Sequence, residues 1–425
     1  MNHSFNLQCC VCETSYLIKH QIGYRSTDFF FECPTCGIML SGQVKIDNEN
    51  LRINSKFINL KQDKDSQRAD YFIQMSGEFY DNKLKRADDS SVFTPGSFIL
   101  QSSDLGFEKT QHMSNLAHYI IDEIPEYYKK CSNVIDLIVS RKDNKKYVYS
   151  ELKKLDPEIQ SFIDYPTKME FIKNYDKYIY PILFSSVCYP FRLLLDKNDN
   201  RFNLSITRQN LEEIFSDYPD ELLELKKEFQ PVISELTTDI VNRLKSYVSL
   251  LPKLNPVVTS ETFMAYDIES IKDIKGLNTV DYNELLSNYA DTYEVLGKTL
   301  SIFVSMNNIQ SRGALNQFDN NKYKSISQFN KDTIGNKLTY VKENLVVEME
   351  YMDLSLLNNK IRNAINHYSI SYESVEQIIT FRDRKKTISL TLIEFANDNY
   401  KLLYLLIEAL FALCSLGRKF NYLDG

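Results

Sequence analysis

The hexapeptide Arg362-Asn363-Ala364-Ile365-Asn366-His367 sets a permanent cation five positions before a histidine. A histidine side chain ordinarily titrates at about 6.5, so an imidazole here can take up or release a proton near neutrality. A guanidinium beside it can hold two oxygens of a phosphate and stabilise charge that builds on them. If a helix begins near Met352 and turns about 100° per residue, Leu354, Leu357, Ile361, Ala364, Ile365 and Tyr368 fall on one apolar arc. Ser355, Asn359, Arg362, Asn363, Asn366 and His367 fall on the opposite arc, with Leu356 the one apolar intruder. The polar arc therefore faces solvent, a partner chain or a substrate. Asn363 lies one turn before His367, where its amide can orient the imidazole or contact phosphate, and Asn366 lies one turn after Arg362.

A second set of reactive residues opens the chain. Five of the eight cysteines fall within the first thirty-six residues, and Cys9, Cys12, Cys33 and Cys36 form two C-x2-C pairs. Each such turn aims two thiolates at one tetrahedral ion, and the spacing is that of a four-thiolate zinc ribbon with a hairpin between the pairs. Four thiolates leave no open position for water or substrate, so the expected Zn2+ is structural. Cys10 offers poorer geometry and His20 is only a substitute ligand. Cys131, Cys188 and Cys414 have no Cys or His neighbour and read as small core residues.

Around these groups the sequence divides into three stretches. Residues 1–90 read as the ribbon with a small β module, including strands over Gly42–Ile46 and Leu51–Ile53, and 105–255 as a helical middle domain. In the middle stretch Leu211, Ile214 and Phe215, then Leu222, Leu223 and Leu225, recur at helical spacing. Residues 256–425 read as a helical bundle. Leu285, Leu286, Tyr289, Tyr293, Leu296, Leu300, Phe303 and Val304 make one stripe over Tyr282–Met306, Asn307–Asn330 is a polar connection with a short helix, and Val341–Glu350 is a further helix. After His367, alternating segments Val375–Phe381 and Thr387–Leu392 flank the turn Arg382-Asp383-Arg384-Lys385-Lys386, which predicts a β-hairpin. A helix over Tyr400–Leu416 then closes the chain, with Gly417 as its stop.

The 425 residues suffice for two or three cores, and 43% hydrophobic with 25% charged residues excludes wholesale disorder. A net charge of −7 gives no global attraction to nucleic acid, so RNA contact must come from a local patch, the best of which is Arg382, Arg384, Lys385 and Lys386. A basic hairpin tip otherwise serves as a solvated turn. The polar start predicts no secretory leader, and Leu402–Leu413 is short for a membrane span and carries Glu408, so the reading expects a cytoplasmic protein without a membrane partner. Walker A, GxGxxG, HExxH and GxSxG motifs are absent, which leaves NTPase, zinc-protease and serine-hydrolase readings without residues.

Arg362 and His367, with a polar residue directly after the arginine, resemble the R-x4-6-H signature of HEPN ribonucleases, as does the order motif helix, small insertion, closing helix. The resemblance covers at most the C-terminal third. It implies a mainly α fold with a C-terminal HEPN-like helical bundle, and metal-independent RNA cleavage, tRNA often among the targets, in which Arg362, His367 and Asn363 act and Asn366 contacts RNA. It further implies a homodimer whose motif helices face each other, and an antiphage or toxin role held back by a trigger or a neutralising partner. Two rival readings use the same residues differently: a non-catalytic HEPN-like scaffold, and a zinc-ribbon nucleic-acid binder with an incidental helical tail.

Overall fold

The computed structural model describes residues 2–21, 27–47, 52–63, 69–88, 91–140, 145–197, 204–319, 322–344, 353–384 and 386–423. It is mainly helical, 61% of it, with small sheets at the N-terminus and after the motif. Two compact units emerge, and neither is continuous in sequence. One comprises 1–122, 249–290 and 360–400, and the other 123–248, 291–359 and 401–425. The boundaries 290/291 and 400/401 fall inside the long helices Tyr282–Arg312 and Leu392–Leu423, so these units cut across the stretches 1–90, 105–255 and 256–425.

In the first unit, β1 (Asn2–Cys9) and β2 (Ser15–Gln21) form an antiparallel hairpin with Gln8 opposite Ser15. A separate sheet joins β3 (Thr27–Glu32), β4 (Met39–Asp47) and β5 (Arg52–Ile58). β6 (Leu60–Gln62) then flanks β1, and β7 (Tyr71–Ser76) runs parallel to β2. The segment between the cysteine pairs is thus not a hairpin of its own: β2 and β3 go to different sheets, and each cysteine pair caps a different hairpin. Leu7, Tyr16, Ile18, Phe29, Phe31, Leu40 and Ile73 fill the core between them, as period-2 alternation requires. His20 faces this interior. It is 1% exposed, neither ring nitrogen has a hydrogen-bond partner, and burial, then the facing His3, push its pKa down to about 4.

The same unit holds an antiparallel sheet of β8 (Ile370–Glu373), β9 (Ile378–Asp383) and β10 (Lys386–Thr391), one strand more than the predicted hairpin. Asp383 and Lys386 still pair across the strands, and Arg384, directly after Asp383, takes φ +55°. Gln377 fixes the sheet. Its backbone is left-handed at φ +53°, and its buried amide accepts from the Leu277 N–H while donating to the Leu277 carbonyl and Asn278 Oδ1. Tyr372 of β8 stacks on Tyr282, ring centroids 4.4 Å apart. Phe381 packs on Phe395, which also meets Tyr289.

The second unit is helical. The helix Tyr282–Arg312 begins in the first unit and continues into the second, and the stripe read from Leu285 to Val304 is buried at all eight of its positions. Gly297 lets Ile334 of the helix Ile334–Asn344 come close: an added Cβ would sit 2.5 Å from that side chain. The short helix in the polar connection is Ile326–Asn330, whereas 345–350 lie outside the described residues. The closing helix spans Leu392–Leu423 and passes straight through Gly417. Gly417 is no stop: a Cβ there would lie 2.5 Å from the Tyr180 ring, so glycine makes room for a close approach. At 32 residues this helix is also long and apolar enough to cross a membrane by length and composition, as is Tyr175–Asp196, although 78% of its most apolar window is buried within the protein. Glu408 in its middle is buried too, and accepts a 2.6 Å hydrogen bond from Thr207.

Candidate functional site

The helix carrying the motif is shorter than the apolar period predicts. Met352 lies outside the described residues, and a single 3-10 turn, Leu354–Leu356, is held by the Asp353 carboxylate accepting from the Ser355 backbone N–H. The α-helix proper is Asn359–Asn366. Leu354, Leu357, Ile361 and Ala364 are buried as expected, because turn and helix share one inward face. Tyr368 departs from it. The chain turns left-handed there at φ +53°, just past the helix end, and swings the ring out to 94% exposure.

His367 closes the helix, its backbone N–H donating to the Asn363 carbonyl at 2.9 Å, and its side chain is exposed. Asn366 is exposed as well, and Arg362 and Asn363 are half-buried. The Asn363 amide is committed to two neighbours: its oxygen accepts from Arg362 Nη1 at 3.3 Å, and its nitrogen donates to Asp383 Oδ2 at 3.3 Å. Asn363 thus links the guanidinium to a carboxylate, so it positions Arg362. Asp383, hidden in sequence within a basic run, supplies the anchor. Its link to Asn363 spans twenty residues, and no local pattern announces it.

The described residues of the basic run lie on a strand pair and its turn. Successive strand residues point to opposite faces, so Arg382 faces away from Asp383, whereas Lys386, paired with Asp383, shares its face. Arg384 is exposed in the turn, and Lys385 lies outside the described residues.

The four N-terminal cysteines converge. Their Sγ atoms all lie within 4.8 Å of one another, with Cys12 and Cys33 at 3.4 Å and Cys9 and Cys36 at 3.7 Å. Each pair closes a tight turn: Glu13 N–H donates to the Cys9 carbonyl and Gly37 N–H to the Cys33 carbonyl, Gly37 taking φ +73°. All eight cysteines are free thiols, and this cluster is compatible with a structural metal site. Burial raises the Cys12 thiol, but hydrogen bonds from the Thr14 side chain and backbone and from Cys33 outweigh it and bring its pKa down to about 6. Cys10 is exposed outside the cluster, and His20 is no ligand. Cys131, Cys188 and Cys414 are buried apart from it.

Compared with known proteins, the chain matches no family model, no curated protein and no solved structure.

Proposed function

We propose that the chain is an endoribonuclease of the HEPN type that cuts RNA at the Arg362–His367 pair and carries a structural zinc in its four-cysteine module. What supports the reading most is one arrangement: an exposed imidazole at a helix end, five residues from an arginine tethered through Asn363 to Asp383.

In this reading the 2′-hydroxyl oxygen attacks the adjacent phosphorus and the P–O5′ bond breaks. One strand keeps a 2′,3′-cyclic phosphate and the other a 5′-hydroxyl. His367 accepts the proton of the attacking hydroxyl, and Arg362 holds the phosphate oxygens as negative charge grows on them. A homodimer with facing motif helices supplies a second His367 to protonate the departing 5′-oxygen. The chemistry calls on no divalent ion at the phosphate. The long helices Tyr282–Arg312 and Leu392–Leu423, with Ile334–Asn344 and Asn359–Asn366, support the reading of a helical bundle.

Zinc is the ion the thiols suit. A Zn–S distance of about 2.3 Å places tetrahedral sulfurs about 3.8 Å apart, close to the 3.4 and 3.7 Å separations. Such a site is closed and orders the β hairpins rather than reacting. Unchecked RNA cleavage is toxic in the cytoplasm, so the activity belongs with antiphage or toxin effectors restrained by a trigger or partner. Expression of wild type and of Arg362→Ala/His367→Ala tests this. Growth arrest by wild type alone, with equal folding and dimerisation, supports the enzyme; equal effects support a scaffold.

A further inference from the structure

The second unit carries a groove of about 590 Å³ lined by one stripe from each of two helices. Arg208, Glu212 and Phe215 face it from Leu204–Asp217, and Phe411, Arg418, Lys419 and Tyr422 from the end of Leu392–Leu423. Their spacings of three, four and seven residues put each set on a single helical face. Cations and rings alternate across the groove: Arg208 lies 5.8 Å from the centre of the Phe411 ring, Lys419 5.2 Å from that of Phe215, and Arg418 5.8 Å from that of Tyr422.

Among the described residues no carboxylate forms an ion pair with Arg208, Arg418 or Lys419, although Glu212 also lines the groove. Three cations against one acid give a local positive charge on a chain whose net charge is −7. A guanidinium resting on a ring keeps its N–H donors for another acceptor, and Tyr422, 43% exposed, keeps ring surface at the mouth of the groove beside Lys177, whose Nζ lies 4.8 Å from the ring centre. Alternating cations and aromatic faces along an open groove is the arrangement that holds a single strand, phosphates on the cations and bases on the rings.

We propose that this groove binds single-stranded RNA through Arg208, Arg418, Lys419 and Tyr422. The proposal concerns binding and stands whether or not Arg362 and His367 cleave.

The test is fluorescence anisotropy of the full-length protein with a labelled oligouridylate of about ten nucleotides over a range of salt concentrations. Replacing three phosphate contacts in Arg208→Gln/Arg418→Gln/Lys419→Gln should weaken binding at least about tenfold and flatten the log–log salt slope by about 2, with an unchanged melting midpoint. Tyr422→Ala should weaken binding and leave the slope alone. If the triple variant melts early, Arg418→Gln alone, at an exposed position, should still flatten the slope by about 0.7. No binding by wild type, or unchanged affinity and slope in the variants, overturns the proposal. So does competition by uridine monophosphate at the concentration at which the strand competes, which would make the groove a small-ligand pocket.

Discussion

The cysteine cluster and the Arg362–His367 motif are both built from residues a few positions apart, yet they depend on the rest of the chain differently. Each C-x2-C pair is set by its own turn, and only two hairpins need to meet for four Sγ atoms to fall within 4.8 Å. The motif acquires its partner from afar, since the amide that steadies Arg362 is itself anchored by Asp383 in β9. The first site is therefore fixed by local backbone, and the second by the pairing of a distant strand. Perturbations should separate them.

The largest effect belongs to the metal. Replacing Cys12 and Cys33 by serine, or extracting the ion, should cost the N-terminal module on the order of 10 kcal/mol and leave it unfolded. Metal content by mass spectrometry together with amide hydrogen exchange over residues 1–88 checks this. Protection equal to wild type in the metal-free protein would mean that the hairpins stand without an ion.

Arg362→Ala should lower the rate of RNA cleavage by about 10²–10³ with little change in melting temperature, because it removes charge stabilisation in the transition state. An unchanged rate would detach the arginine from the chemistry.

His20 provides a pH test of the β module. Its folded pKa, down to about 4, lies below the ordinary 6.5, so the unfolded chain binds the extra proton. Stability should therefore be full above about 6.5 and fall as pH drops towards about 4, by up to about 3 kcal/mol. Denaturant melts of wild type and His20→Phe between those limits should diverge in slope. Asp81, raised well above its usual range by burial, works in the opposite direction in both proteins and cancels from the comparison.

Smaller effects probe the tether. Asn363→Ala and Asp383→Asn should each slow cleavage about tenfold, and the double variant should be little worse than either, because both break one chain of contacts. Additive losses would show independent roles. Tyr368→Gly should raise stability by about 1 kcal/mol, since it relieves a left-handed backbone and gives up an exposed ring.

The same contrast explains what the sequence made legible. Spacing alone identified the four thiols, and period 3.6 placed the eight buried residues from Leu285 to Val304 on one stripe. Tyr368 escapes that periodicity because one left-handed residue ends the helix, and Gly417 looks like a stop in sequence because the Tyr180 ring that demands a glycine lies far away along the chain. Asp383 was masked by its basic neighbours, and the discontinuous units reflect contacts that composition does not encode.

Whether Arg362 and His367 cleave RNA is decided by incubating purified wild type and His367→Ala with total tRNA and a generic single-stranded RNA, without added divalent metal, and mapping the fragment ends. Wild type alone should cleave, leaving 2′,3′-cyclic phosphates and 5′-hydroxyls. Equal cleavage by the variant, or intact RNA in both together with normal growth of cells expressing wild type, would rule out this ribonuclease.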